Sequence, residues 1–205
     1  EVQASAQGRE QVLLKAIDRL TRELRERLGE SLDSIARTDP PFTQYTTSSL
    51  EALEVLAVAA RVASRGEFAK AERSYAEALQ HDPKFAAARA SRGVLLIQFL
   101  GRPEEGKAEL ARALIDSDEV SEREHLHIRA LNKQFVDRDL PGALEDNRFI
   151  CELYPDMMQP YNNSGRVLEG LGRFREAVAM YERAHEKDPN ATVPLWNAYF
   201  LQVSR

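Results

Sequence analysis

The sequence predicts an all-α protein built of stacked antiparallel helix pairs, with an extra helical segment at the N-terminus. Three observations lead there. Pro83, Pro155 and Pro189 each close an amphipathic run at a repeating interval: 189 minus 155 is 34, and 155 minus 83 is 72, or two steps of 36. The same small and aromatic residue types recur at matching offsets before Pro83 and Pro189. Charged residues make up 30% of the 205-residue chain and aromatics 7%, with both signs interspersed, a mixture that suits solvated amphipathic helices better than strands.

The first fifty residues stand apart. Leu13, Leu14, Ile17, Leu20, Leu24 and Leu28 recur three or four positions apart and put one apolar stripe on a long helix, while Arg19, Glu23, Arg25, Glu26 and Arg27 fall largely elsewhere. A short second helix is expected through Leu32 and Ile35, then a loop from Asp39-Pro40-Pro41 to Thr47. The stripe either packs on the rest of the chain or pairs with a second copy of itself. The predicted division is therefore an N-terminal amphipathic helix and linker over 1–47 and a repeat array over 48–205.

Within the array the units fall at 52–85, 86–123, 124–157 and 158–191, with a partial unit or capping helix over 192–205. The first and fourth units carry the same slots. Ala59 and Gly165 are small where the second helix must approach the first, and Ala71 and Ala177 are small on the other side. Gly66 and Gly172 sit where the chain reverses, Phe68 and Phe174 plug the gap just after, and Tyr75 and Tyr181 recur at the same offset. The middle units are irregular. In the second, the turn Gly101-Arg102-Pro103 is one residue longer, Gly106 stands where alanine is usual, and no proline ends the unit. In the third, Leu131 occupies the small slot, so its two helices are expected to splay. Ser48 with Glu51, and Ser121 with Glu124, have the spacing of helix-capping boxes. The last helix, Val193 to Val203, is rich in aromatics and reads as the start of a further unit.

These slots resemble the tetratricopeptide repeat family: small, small, aromatic, alanine and proline at fixed offsets. The resemblance implies a right-handed superhelix in which the first helices of successive units line a concave groove that takes an extended peptide or a partner helix. Carried onto this sequence, the lining is Leu53, Leu56 and Val94, then Ile128, Arg129 and Asn132, then Gln159, Asn162, Asn163 and Arg166. The segment from Leu24 to Leu53, including Leu24-Arg25-Glu26-Arg27-Leu28-Gly29-Glu30-Ser31-Leu32 and Thr46 to Leu53, and Val120-Ser121-Glu122-Arg123-Glu124 are further similar to the C-terminal repeat arrays of bacterial transmembrane serine/threonine kinases and related signalling regulators. That resemblance implies the sensor or scaffold part of a signalling protein, with an extracytoplasmic position favoured over a cytoplasmic one. The kinase motifs themselves are absent, and the chain begins at Glu1, so a piece of a longer protein is expected.

Other function classes lack support. Net charge is -5 and no run of Lys and Arg is unbroken by acids, which argues against nucleic acid. No apolar stretch approaches twenty residues, so no membrane insertion is expected. Gly101 to Lys107 imitates a phosphate-binding loop, but Ala108 replaces the hydroxyl residue that would ligate magnesium and no strand precedes it, so it reads as a repeat turn. His125 and His127 lie two apart and point to opposite sides of a helix, which is wrong for metal. His81 and His185 suit helix C-termini. Cys151, the single cysteine, reads as an apolar packing residue. No nucleophile has a base and an orienting acid, so neither an enzyme nor a cofactor is expected, and the partner class is protein or peptide.

Overall fold

The computed structural model describes residues 47–203 and, before them, positions 12, 16, 19 and 20. The helix and linker expected over 1–47 otherwise lie outside the described residues. The protein is all-α: from residue 47 to 203 nine α-helices follow one another as α1 (Leu50–Ser64), α2 (Phe68–His81), α3 (Ala86–Gln98), α4 (Pro103–Asp116), α5 (Glu122–Asn132), α6 (Leu140–Leu153), α7 (Met158–Gly170), α8 (Phe174–Lys187) and α9 (Thr192–Val203), with no strand among the described residues. The chain divides into two compact units, 1–124 and 125–205, with the boundary inside α5.

In the first unit, α1 and α2 run antiparallel because their small residues meet in reverse order. Ala59 clusters with Ala71 and Tyr75, and Ala52 with Ala78, every alanine fully buried. Ser49, not Ser48, caps α1: it directly precedes Leu50, and its hydroxyl accepts from the Ala52 N–H at 3.1 Å. Thr47 Oγ1 in turn accepts from the Ser49 N–H at 3.1 Å and donates to Asp82 at 2.5 Å, tying the start of α1 to the end of α2.

The α3–α4 pair crosses more tightly. A β-carbon built on Gly93 would lie 2.8 Å from the Gly106 carbonyl oxygen, and one on Gly106 only 2.5 Å from the Gly93 carbonyl oxygen. Gly106 therefore stands where alanine is usual because the two backbones touch. Pro103 takes the first turn of α4, where its missing N–H costs nothing. With no proline to stop it, α4 runs into a 3₁₀ turn, Ser117–Glu119. The Ser121 hydroxyl then accepts from the Glu124 N–H at 3.3 Å, as its spacing predicts.

In the second unit, α7 and α8 repeat the tight geometry: the Tyr181 ring lies so close over Gly165 that a β-carbon there would come within 2.5 Å of it. Leu131 fills the corresponding slot of α5, and the α5 and α6 backbones stand further apart than those of α7 and α8. A π-helical segment, Lys133–Asp137, replaces the last turn of α5, and Asp139 caps α6 through the Gly142 N–H at 3.0 Å. Arg138, between them, is left-handed at φ 59°. That position is the turn slot, since 172 minus 138 is 34, and Gly66, Gly101 and Gly172 are left-handed in the other three pairs at φ 78°, 64° and 71°. Pro83, Pro155 and Pro189 each follow the last residue of a second helix by two, where the chain must leave α geometry.

Candidate functional site

The expected lining residues fall in both units, and the structure uses several of them internally. Leu53 and Leu56 are half-buried and pack on the cluster of Ala52, Ala78, Phe85 and Ala88. Val94 is half-buried. The neighbouring face of α3 is committed to ion pairs: Arg92 reaches Glu72 at 2.6 Å and Glu109 at 3.1 Å, and Arg89 reaches Glu109 at 3.2 Å and Asp116 at 3.0 Å.

Two candidates on α5 need correction. Ile128 is fully buried and cannot line a groove; interior packing of an isoleucine is worth about 1.5–3 kcal/mol, and α5 turns it inward. Asn132 is 3% exposed, and its amide donates to the Ile128 carbonyl at 3.1 Å, which lets a polar side chain sit in the interior. Arg129 is held by a two-pronged contact to Asp146, at 2.7 and 3.0 Å, and Lys133 approaches the same carboxylate at 2.9 Å. Burial alone would push the Asp146 carboxyl up, but hydrogen bonds from Arg129 and Lys133 outweigh it and hold the group below the usual aspartate value. This triad bridges the gap between α5 and α6.

The remaining candidates gather on one face of α7. Gln159, Asn162, Asn163 and Arg166 are spaced three, four and seven along the helix, so their side chains share a stripe. Gln159 is exposed and the other three are half-buried. Asn162 Oδ1 accepts from Asn197 Nδ2 of α9 at 3.2 Å, so α9 adds an amide that the sequence reading missed. The signal was available, since 197 minus 163 is 34. Arg166 has neither a hydrogen-bond partner nor a carboxylate at ion-pairing distance among the described residues. Burial pushes its guanidinium below the usual arginine range, and Tyr181 and Glu169 offset this only in part.

The floor under Arg166 is built by the tight pair. Gly165 leaves room for the Tyr181 ring, which is fully buried, and the Tyr181 hydroxyl donates to Glu169. Burial, and then Glu169, push that hydroxyl well above the ordinary tyrosine range, so it stays a neutral donor. The face therefore offers amides, which can bond a peptide backbone in both directions, and one cation without a bonded counter-ion.

Elsewhere, Cys151 is half-buried and its thiol is pushed up to about 11, chiefly by burial, which keeps it protonated. No group of three or more His, Cys, Asp or Glu among the described residues could hold a metal ion, and no described helix is long and apolar enough to cross a membrane.

No protein-family model matches the sequence, and no curated protein matches it. Solved structures with a similar arrangement include PilF of Pseudomonas aeruginosa, at 19% identity over 75% of this chain and 68% of that one, with a TM-score of 0.47. A crystal structure of MamA is similar at 18% identity over 72% of this chain and 84% of that one, with a TM-score of 0.40. YrrB, described as a TPR protein with an unusual peptide-binding site, is similar at 20% identity over 75% of this chain and 77% of that one, with a TM-score of 0.39.

Proposed function

We propose that the chain is a protein-interaction module that holds an extended peptide or a partner helix against the α7 face. The observation that carries this reading is the stripe of Gln159, Asn162, Asn163 and Arg166, a row of hydrogen-bonding groups of which Gln159, Asn163 and Arg166 have no hydrogen-bond partner among the described residues. Half-buried polar groups left open in this way gain from a ligand that completes them. The likeness of the Leu24 to Leu53 segment and of Val120 to Glu124 to kinase-associated arrays supports a finer reading: the sensor or scaffold region of a bacterial signalling protein, on the extracytoplasmic side of its membrane.

The test is capture of peptides selected from a displayed dodecapeptide library. Asn163→Ala and Arg166→Ala should each weaken binding roughly tenfold, the size of one lost hydrogen bond to a charged or buried group, and leave the thermal midpoint in place. Binding that survives both substitutions would remove the reading.

A second reading is self-association, in which the trough is filled internally and the N-terminal helix pairs with its copy. It is favoured by the internal use of Ile128, Arg129 and Asn132 and by Leu20, which is 60% exposed. Light scattering on the chain lacking residues 1–35 decides it: a halved mass supports a dimer, and an unchanged mass excludes one.

A further inference from the structure

We propose that Tyr181 is a positioning residue for the α7 face: by holding the Glu169 carboxylate through its hydroxyl, it keeps that internal counter-charge off Arg166 and reserves the guanidinium for a carboxylate side chain of an incoming acidic peptide. This rests on the peptide-binding reading above and names the chemistry of the group recognised.

The argument starts from spacing. Arg166 and Glu169 lie three apart on one helix, a separation at which arginine and glutamate pair readily. The same order and spacing closes into two-pronged ion pairs at Arg102 with Glu105, at 2.6 and 2.8 Å, and at Arg173 with Glu176, at 2.6 and 2.7 Å, where each arginine caps its helix from just before the first turn. At Arg166 the pair stays open. There Glu169 has another donor, Tyr181, which belongs to α8 and reaches Glu169 across the crossing with α7. That reach depends on Gly165, because any side chain there would push the ring away.

A half-buried guanidinium without a bonded anion is poorly solvated, so an external carboxylate that bonds it recovers both the pairing and the lost hydration. Asn162, Asn163 and Asn197 flank the position and supply amides for the backbone on either side of the acidic residue. The Tyr181 hydroxyl occupies one oxygen of the Glu169 carboxylate and so competes with Arg166 for it. Loss of the tyrosine hydroxyl would free it to neutralise Arg166 from within, and the site would then lose its preference for acid.

The experiment begins by selecting displayed dodecapeptides on the 205-residue chain and resynthesising each binder with Asp or Glu replaced by Asn or Gln. Binders are expected to share one acidic position whose amide replacement lowers affinity about tenfold. Tyr181→Phe should lower affinity for the acidic peptides to the level of their amide versions and abolish the discrimination. Adding Glu169→Gln to Tyr181→Phe should restore it, because no internal carboxylate then competes, and that rescue separates positioning from a folding loss. If Tyr181→Phe keeps full discrimination, or if the double variant is no better than the single one, the positioning role is overturned while peptide binding stands. If no peptide is selected, or none depends on Asn163 or Arg166, the binding reading itself falls and takes this one with it.

Discussion

Arg138 sits in the left-handed region that costs a side chain about 1–2 kcal/mol, at a slot where three other pairs have glycine. Arg138→Gly should therefore raise stability by about 1 kcal/mol, read as a higher urea midpoint with unchanged slope. The glycine turns are legible in the sequence and this one is not, because residue type is the only cue and arginine hides the conformation. Counting 34 back from Gly172 would have found it. The groove residues divide for a similar reason. Offsets place a residue on a helix face, yet whether that face stays open depends on how close the neighbouring helix comes. Arg129 was expected to await a ligand, and Asp146 and Lys133, seventeen and four residues further on, had no periodic signal to announce them. That triad has a pH signature. Asp146 is held below its unfolded value of about 3.9, so the stability it contributes is complete above that value and is lost as pH falls through the depressed one. Acid unfolding of Asp146→Asn should show a shallower loss of stability as pH falls below about 4 than that of the parent chain.

Helices were the most legible feature, because each has a physical start or stop written locally. Prolines mark three exits, glycines mark three reversals, and Pro103 and Ser121 mark two entries. The Ser49 cap was misplaced by one residue, since Ser48 and Ser49 offer the same hydroxyl and only backbone geometry chooses between them. Ser49→Ala should cost about 1 kcal/mol, and Ser48→Ala much less, in thermal unfolding. The strongest demand lies at the α3–α4 crossing. Gly106→Ala drives a methyl group into the Gly93 backbone, which cannot rotate away as a side chain could, and should destabilise by about 1–3 kcal/mol. Sequence offsets mark Gly106 as a departure from alanine; the reason for it, two backbones in contact, lies in the helix crossing and not in the local sequence. The π-helical segment at Lys133–Asp137 had no advance cue, as its residues are ordinary helix formers and the widened turn follows from the splayed α5.

At the scale of the molecule, the helix pairs differ in how they are held. The α3–α4 pair is locked by backbone contact and a network of partly buried ion pairs, whereas the α5 and α6 backbones stand further apart and the Asp146 triad spans the gap. Local opening follows such differences. Amide hydrogen exchange read by mass spectrometry should therefore be faster over 133–139 than across the paired interior of α3 and α4, and Asp146→Ala should widen the contrast. Equal protection in the two regions would contradict it. The turn slot that recurs once per pair makes a finer measurement available. Arginine placed at Gly66 or at Gly101, the reversals of the adjoining first and second pairs, reproduces the substitution the third pair already carries. If each replacement lowers stability by a similar amount, and two together by the sum, neighbouring pairs fold as nearly independent modules. A shortfall or excess in the double variant would be a direct reading of their cooperativity.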